Sequence, residues 1–195
     1  MKQPRGWAAG QALGYIGAMT VGIDIGGTTT KVAGLGAEGP FGFHTVKAGA
    51  PPTSNAGALA SFLAVNSLPR SAVTRIAVTG VRSRDCGETL LDLPCQRVEE
   101  FQAIGRGGLH LAGLAQAIVV SMGTGTAVVR ATPAECRHLG GTGVGGGTLL
   151  GLAQSILGTT DFNAIVELAA QGNLANVDLL VGDLAPQAAA SLSAR

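Results

Sequence analysis

Thr20-Val21-Gly22-Ile23-Asp24-Ile25-Gly26-Gly27-Thr28-Thr29-Thr30-Lys31 is the stretch on which the fold turns. Alternating apolar, largely β-branched residues up to Ile25 predict a half-buried strand, and Gly26-Gly27 predicts a tight turn. A second strand is expected over Thr30 to Leu35. After Gly36 and Gly39-Pro40, a third is expected over Phe41 to Lys47. The pattern restarts at Ala117-Ile118-Val119-Val120-Ser121, turns at Gly123-Thr124-Gly125 and returns over Thr126 to Val129, with a further strand at Cys136 to Leu139. A strand–hairpin–strand unit with a glycine turn therefore occurs twice, as a duplication of architecture rather than of sequence. Both glycine turns join strand to strand, so neither half reads as a Rossmann unit, whose glycines join strand to helix.

Between the two units, Pro51-Pro52-Thr53-Ser54 breaks the chain and can cap a helix over 56–65. Arg75 to Thr79 reads as a short buried strand ended by Gly80. A helix is expected over 83–91, a strand over 95–98 and a glycine-containing helix over 100–115. After the second unit, a glycine-rich loop over 140–147 feeds a helix at 148–157, and Asp161 can cap another over 163–170.

The chain has 195 residues, 46% hydrophobic and 13% charged, with a net charge of +1. That composition supports a folded core and gives no electrostatic reason to expect nucleic acid or an anionic membrane as partner. Cys86, Cys95 and Cys136 form no CxxC pair, which argues against a disulfide scaffold or structural zinc and for buried thiols in a reducing compartment. The most apolar stretch, 109–122, is interrupted by His110 and Gln116 and falls short of the ~18 apolar residues of a membrane span. Lys2 and Arg5 are not followed by a sustained apolar region, so no secretory signal is read. The expectation is a soluble, cytoplasmic protein.

Three constellations carry chemistry. In the first, Gly26 and Gly27 let backbone approach a phosphate, Thr28, Thr29 and Lys31 add donors and charge, and Asp24 is placed to hold Mg²⁺ through water. In the second, Ser121, Gly123, Thr124, Gly125 and Thr126 repeat that turn, and the pair reads as two jaws of a phosphate clamp. The third, Gly140 to Thr148, has six glycines in its first eight residues. Such a loop before a helix N-terminus suits the anionic end of a ligand.

Together, GIDIGGTTTK, the VEEF segment at Val98 to Phe101, SMGTGT and HLGGTGVGGGTLLGL resemble the type II pantothenate kinases, from about Met19 to Leu184. The resemblance implies an α/β, two-lobed actin/hexokinase-like (ribonuclease H-like) fold with ATP and Mg²⁺ in the cleft. It implies transfer of the γ-phosphate to the primary hydroxyl of pantothenate, the first step of coenzyme A synthesis, by a homodimer. By the same resemblance Glu100 is the general base, with Glu99 as its adjacent competitor. Arg137 and His138 compete to contact the substrate carboxylate near Gly140, Gly141 and Thr142, and Gly145, Gly146 and Gly147 face the nucleotide. The lobes are expected over 19–116 and 117–195, after an extension over 1–18. The final segment is alanine- and serine-rich, so the second lobe is expected to be incomplete. Arg82 and Arg84 are cleft or surface residues. The other readings are another kinase of the superfamily, a 2-hydroxyacyl-CoA dehydratase activator ATPase, or an inactive nucleotide-binding module. The activators place a cluster-binding cysteine near the second turn, where this sequence has none.

Overall fold

The computed structural model describes residues 18–47 and 53–178; the expected N-terminal extension up to residue 17, the Pro51-Pro52 break and the tail from 179 onward lie outside the described residues. Strands β1 (Met19–Ile25), β2 (Thr29–Gly36) and β3 (Gly39–Lys47) form an antiparallel meander. Helix α1 (Thr53–Val65) then crosses over, so that β4 (Val73–Thr79) returns parallel to β1. Strand β6 (Leu93–Arg97) adds parallel to β4, and the two-residue β5 (Thr89–Leu90) closes the edge, giving the order β3-β2-β1-β4-β6-β5.

The period-2 alternation of β1 buries Met19, Val21, Ile23 and Ile25 on one face, where α1 packs Ala58, Leu59, Phe62 and Leu63. Each large apolar side chain removed from water there contributes roughly 1.5–3 kcal/mol. Phe62 is fully buried and lies against Phe41, ring centroids 6.3 Å apart. The helix stops where Ser67 takes positive φ and Leu68 N–H donates back to the Leu63 carbonyl at 2.9 Å. The opposite face of the sheet is left to smaller residues, and the cleft described below forms there.

The expected helix over 83–91 is absent. A short 3₁₀ turn at Ser83–Asp85 is followed directly by β5, which pairs with β6. The physical reason is the hairpin turn, in which Leu91 and Asp92 both take positive φ, 51° and 59°, a pair no right-handed helix accommodates. The Arg70 guanidinium holds this turn through the Leu91 carbonyl and the Asp92 carboxylate.

The second sheet is a second antiparallel meander, β7 (Ala117–Met122), β8 (Thr126–Ala131) and β9 (Cys136–Thr142). The hairpin unit expected twice is thus present twice. Helix α2 (Glu100–Ala112) covers one face of this sheet, building a small core from Leu109, Val129, Ala131 and Cys136, and ends at Gly113 with φ 65°. Two helical glycines bring it close: a Cβ on Gly105 would lie 2.5 Å from Cys136 Sγ, and one on Gly108 would lie 2.7 Å from a Val119 methyl. The other face of β7 leaves Ile118, Val120 and Met122 exposed.

Packing divides the chain into two compact units, residues 1–148 and 149–195. Both sheets belong to the first, and the expected lobe boundary at 116/117 falls inside it, with α2 lying on the sheet that follows it rather than on the one before. Helix α3 (Gly146–Leu157) starts in the first unit and continues into the second. Helix α4 (Phe162–Gln171) is capped by the Asp161 carboxylate, which accepts from Asn163 N–H at 2.9 Å and Ala164 N–H at 3.2 Å. No helix among the described residues is long and apolar enough to cross a membrane.

Substituting Gly105→Ala gains helix propensity but forces a methyl into Cys136. The overpacking should win, with a net loss of ~1–3 kcal/mol in urea-unfolding stability. Gly107→Ala, where a Cβ meets open space, should be neutral or stabilising in the same measurement.

Candidate active site

Asp24 and Lys31 are direct cross-strand partners, because the β1–β2 turn spends four residues, 26–29, in reversing the chain. The register brings Lys31 Nζ to 3.1 Å from Asp24 Oδ2 in a partly exposed position on the sheet's face. Gly26 N–H closes the turn on the Thr29 carbonyl at 3.0 Å. On its other side Asp24 is paired in parallel register with Thr79, whose hydroxyl is buried without a hydrogen-bond partner. Gly80 follows at φ 94°, and a Cβ there would stand 2.5 Å from Asp24 Oδ1 and 2.6 Å from the Ile25 carbonyl oxygen. The carboxylate is therefore held by a lysine in front and by bare backbone behind. The sequence alone marks Gly80 only as the end of a strand. The signal available was a lone glycine closing a buried strand, where positive φ is common.

The two adjacent glutamates separate cleanly. Glu99 is the N-cap of α2, its Oε2 accepting from Gln102 N–H at 2.9 Å. Glu100 opens the helix, half-buried, within electrostatic reach of Asp24 and Lys31. Burial raises the Glu100 carboxyl above its ordinary pKa, the Asp24 and Glu99 charges raise it further, and the Lys31 ammonium opposes them. Glu100 rides on the helix of the second sheet, while Asp24 and Lys31 belong to the first.

The second turn faces the first. Thr28 Oγ1 and Thr124 Oγ1 lie 3.2 Å apart, and the bare Cα of Gly27 points toward the same Thr124 hydroxyl. Ser121, the next-to-last residue of β7, lies opposite Ala127, and Gly123 N–H donates to the Gly125 carbonyl. Thr126 Oγ1 donates to the Val144 carbonyl at 2.8 Å.

The glycine run divides between β9 and the start of α3. Gly140, Gly141 and Thr142 are the end of β9, and a Cβ on Gly141 would collide with the Thr126 carbonyl. Gly146 N–H donates to the Gly123 carbonyl at 2.8 Å and Gly147 N–H to the Thr124 carbonyl at 3.0 Å. A Cβ on Gly145 would stand 2.8 Å from Gly125. These glycines let backbone lie on backbone, and the amides of Gly146 and Gly147 serve the second turn.

Of the two basic candidates, Arg137 pairs with Arg130 and His138 with Val129. Strand alternation puts His138 on the α2 face with Cys136 and sends Arg137 to the opposite face. The His138 ring stacks on Phe101, the neighbour of Glu100, with centroids 4.1 Å apart and planes 5° from parallel. His138 is thus the basic residue on the Glu100 side. Arg82 approaches by backbone, its N–H donating to the Ile25 carbonyl at 3.1 Å; Arg84 is exposed.

A cleft of about 410 Å³ adjoins this constellation. Gly22, Ala33 and Ala77 form one row of its floor, Asp24, Lys31 and Thr79 the next, and Val98, just before α2, and Ala103 of α2 also line it. The arrangement offers hydroxyls, an ammonium and a carboxylate to a phosphorylated ligand, and a second carboxylate, Glu100, able to take a proton.

Residues 115–193 match the protein-family model described as Fumble. The type II pantothenate kinase of Bacillus anthracis is 27% identical over 172 residues, which cover 85% of this chain and 59% of that protein. The type II pantothenate kinase of Bacillus cereus strain AH820 is 26% identical over 171 residues, with the same coverage. The pantothenate kinase of Schizosaccharomyces pombe is 35% identical over 68 residues, 34% of this chain and 17% of that one. The chain spans about three fifths of the length of the type II relatives it matches. Among solved structures, component A of (R)-2-hydroxyglutaryl-CoA dehydratase from Acidaminococcus fermentans superposes with a TM-score of 0.60 at 16% identity, covering 80% of this chain and 60% of that one. The activator of 2-hydroxyisocaproyl-CoA dehydratase from Clostridium difficile with bound ADPNP gives 0.51 at 17%, covering 72% and 53%. At these identities the structures speak for the fold, which is actin/hexokinase-like. The resemblance to type II pantothenate kinases holds over most of the chain.

The two glutamates should separate in stability measurements. Glu99→Ala removes the α2 cap and should cost ~0.5–2 kcal/mol in urea unfolding. A carboxyl whose pKa is raised on folding favours the folded state only while protonated, and that contribution is lost as pH rises through the raised value. Glu100→Gln should therefore raise Tm at neutral pH, with the gain shrinking toward zero as pH falls below the ordinary carboxylate range.

Proposed function

We propose that this chain, similar over most of its length to type II pantothenate kinases, carries the phosphate-binding and proton-accepting part of an ATP-dependent pantothenate kinase. The observation that carries the reading is the meeting of the two glycine turns at Thr28 and Thr124 beside the Asp24–Lys31–Glu100 group. Within it, Gly26, Gly27, Thr28, Thr29 and Lys31 face the phosphates from one side, and Ser121, Gly123, Thr124, Gly125 and Thr126 from the other. The donor set suits a nucleoside triphosphate: hydroxyls and an ammonium converge where side chains are missing, and a Cβ on Gly123 would meet only open space. Asp24 suits Mg²⁺ held through water, being a carboxylate that is half-exposed rather than sealed in the core. Bound MgATP supplies the transferable phosphoryl group.

Glu100 accepts the proton of the pantothenate hydroxyl. Its raised pKa brings its basicity nearer to working pH while leaving it ionised above the shifted value. Lys31 pairs with the Asp24 carboxylate, opposes the rise in the Glu100 pKa and offers charge to the phosphates. Phosphoryl transfer asks the protein mainly for positioning and electrostatic stabilisation, which these groups supply. His138, on the Glu100 face, is the better placed of the two basic residues to meet the substrate carboxylate. In keeping with the family resemblance, we assign the activity to the cytoplasm and to a homodimer.

The test is ADP release coupled to added pantothenate, with mass detection of phosphopantothenate. Pantothenate-independent ATP hydrolysis with no phosphorylated product would instead favour an ATPase of the activator type. Glu100→Gln should lower transfer by ~10²–10⁴-fold while leaving calorimetric ATP affinity within a small factor of the parent. Equal losses in both would remove Glu100 from the role of base. The rate should climb with pH through a value above that of a free glutamate, since the base works only when deprotonated.

A further inference from the structure

Strand β1 carries a mid-strand glycine that the fold does not require. Gly22 pairs with Ala33 of β2 on one side and with Ala77 of β4 on the other, inside the six-stranded sheet. A glycine there weakens a strand, and its usual causes are a bulge, a left-handed φ or backbone packed against it. None of these holds at Gly22. The register runs regularly through it on both sides, and its φ is not positive. A Cβ built on it would meet only the Ala33 carbonyl oxygen, at an ordinary 3.8 Å.

Strand alternation fixes where the missing side chain would point. Val21 and Ile23 enter the core with α1, so position 22 faces the other way with Asp24, toward the 410 Å³ cleft. Two further observations concern the same cleft. Phe43 of β3 lines it while 58% exposed, a large ring at the margin of a floor of small residues. Thr79, beside Asp24, keeps its hydroxyl buried without a hydrogen-bond partner, and such a group gains from a polar partner that an occupant supplies. The floor thus changes character over one strand repeat. Asp24, Lys31 and Thr79 form its polar end, and roughly 7 Å along the strands Gly22, Ala33 and Ala77 offer no polar side chain.

We infer that this cleft seats the carbon body of the acceptor alcohol, and that Gly22 is the specificity-determining residue that leaves room for it. The inference rests on the kinase reading above and adds where the acceptor lies and what class it belongs to. That class is an alcohol whose reactive hydroxyl adjoins a compact, branched apolar skeleton, as in the paired methyl groups of pantothenate. The skeleton rests on the bare backbone of Gly22 between two alanine methyls, with the Phe43 ring as a wall. Its hydroxyl is thereby kept at the polar end, on the Asp24 and Glu100 side. A hexose suits the cleft poorly, because hydroxyls stripped of water over Gly22, Ala33 and Ala77 meet no side-chain partner there.

The experiment compares the full chain with Gly22→Val and, as a second filling of the same floor, Ala77→Leu. Each is measured for Tm, calorimetric ATP affinity and the dependence of ADP release on pantothenate concentration. Gly22→Val should keep or raise Tm, since valine suits a strand better than glycine and its Cβ meets only an ordinary contact. ATP affinity should stay within a small factor of the parent, while KM for pantothenate rises ~10-fold or more. The kcat should move less, because the room removed is used by bound substrate and transition state alike. Phe43→Ala should also raise KM for pantothenate with ATP affinity held. An unchanged KM in both filled variants would overturn the inference and leave the kinase reading standing. A fall in Tm with matching losses of ATP affinity in both would overturn it too, by making the small residues a need of the sheet. Glucose phosphorylated by the parent as efficiently as pantothenate would overturn the apolar acceptor. A parent that makes no phosphopantothenate would remove the kinase reading itself, and this inference with it.

Discussion

The backbone of residues 123–125 is where the structure's separate parts meet. Carbonyls of this turn accept the first amides of α3, its Cα atoms lie under Gly145, and its threonine hydroxyl meets Thr28 of the first hairpin. Two segments distant in sequence are thus referred to one short stretch of chain. Such contact is possible only where side chains are missing on the facing surfaces, because a Cβ held under 3 Å from a carbonyl has nowhere to move. The clustered glycines pay for this closeness in unfolded-state entropy, and the return is a site whose two halves are positioned by backbone rather than by mobile side chains.

A second constraint is electrostatic. Asp24 stands on the first sheet and Glu100 on the helix that covers the second, and the Asp24 charge raises the Glu100 pKa while the Lys31 ammonium opposes it. A site that gathers like charges is less stable than one that disperses them, and phosphoryl transfer is one chemistry that makes use of such a gathering. Helix α2 enforces it from below. Gly105 and Gly108 set the helix close on the second sheet, Glu99 caps its first turn, and the Phe101–His138 stack ties that turn to β9.

The strands, both hairpins and the first two turns were legible in the sequence, because alternation and glycine turns are local signals. Asp24 and Lys31 were legible for the same reason, since a four-residue reversal fixes their pairing. Which of Glu99 and Glu100 caps α2 depends on where the helix starts to within one residue, and no local pattern carries that. The segment 83–91 misled because its composition permits a helix, while the left-handed Leu91–Asp92 pair that prevents one has no glycine to announce it. A sequence shows the glycines of the 140–147 run without showing what approaches each one. At Gly141, Gly145 and Gly146 it is the protein's own backbone, while Gly140 and Gly143 face open space. The placement of α2 on the sheet after it is a tertiary fact that no local pattern carries.

The stack of bare backbone around the second turn also has a genetic meaning. Every single-base change of a glycine codon that alters the residue adds at least a methyl, or introduces a stop. At Gly125, Gly141 and Gly145 that methyl would be aimed at main-chain atoms, which cannot swing aside. Ordinary core positions accept a neighbouring hydrophobe through small compensations, but these positions have no near-synonymous replacement. Missense changes scattered evenly along the gene should therefore be depleted at these codons among surviving alleles, more sharply than at the buried leucines and valines that make up most of the core.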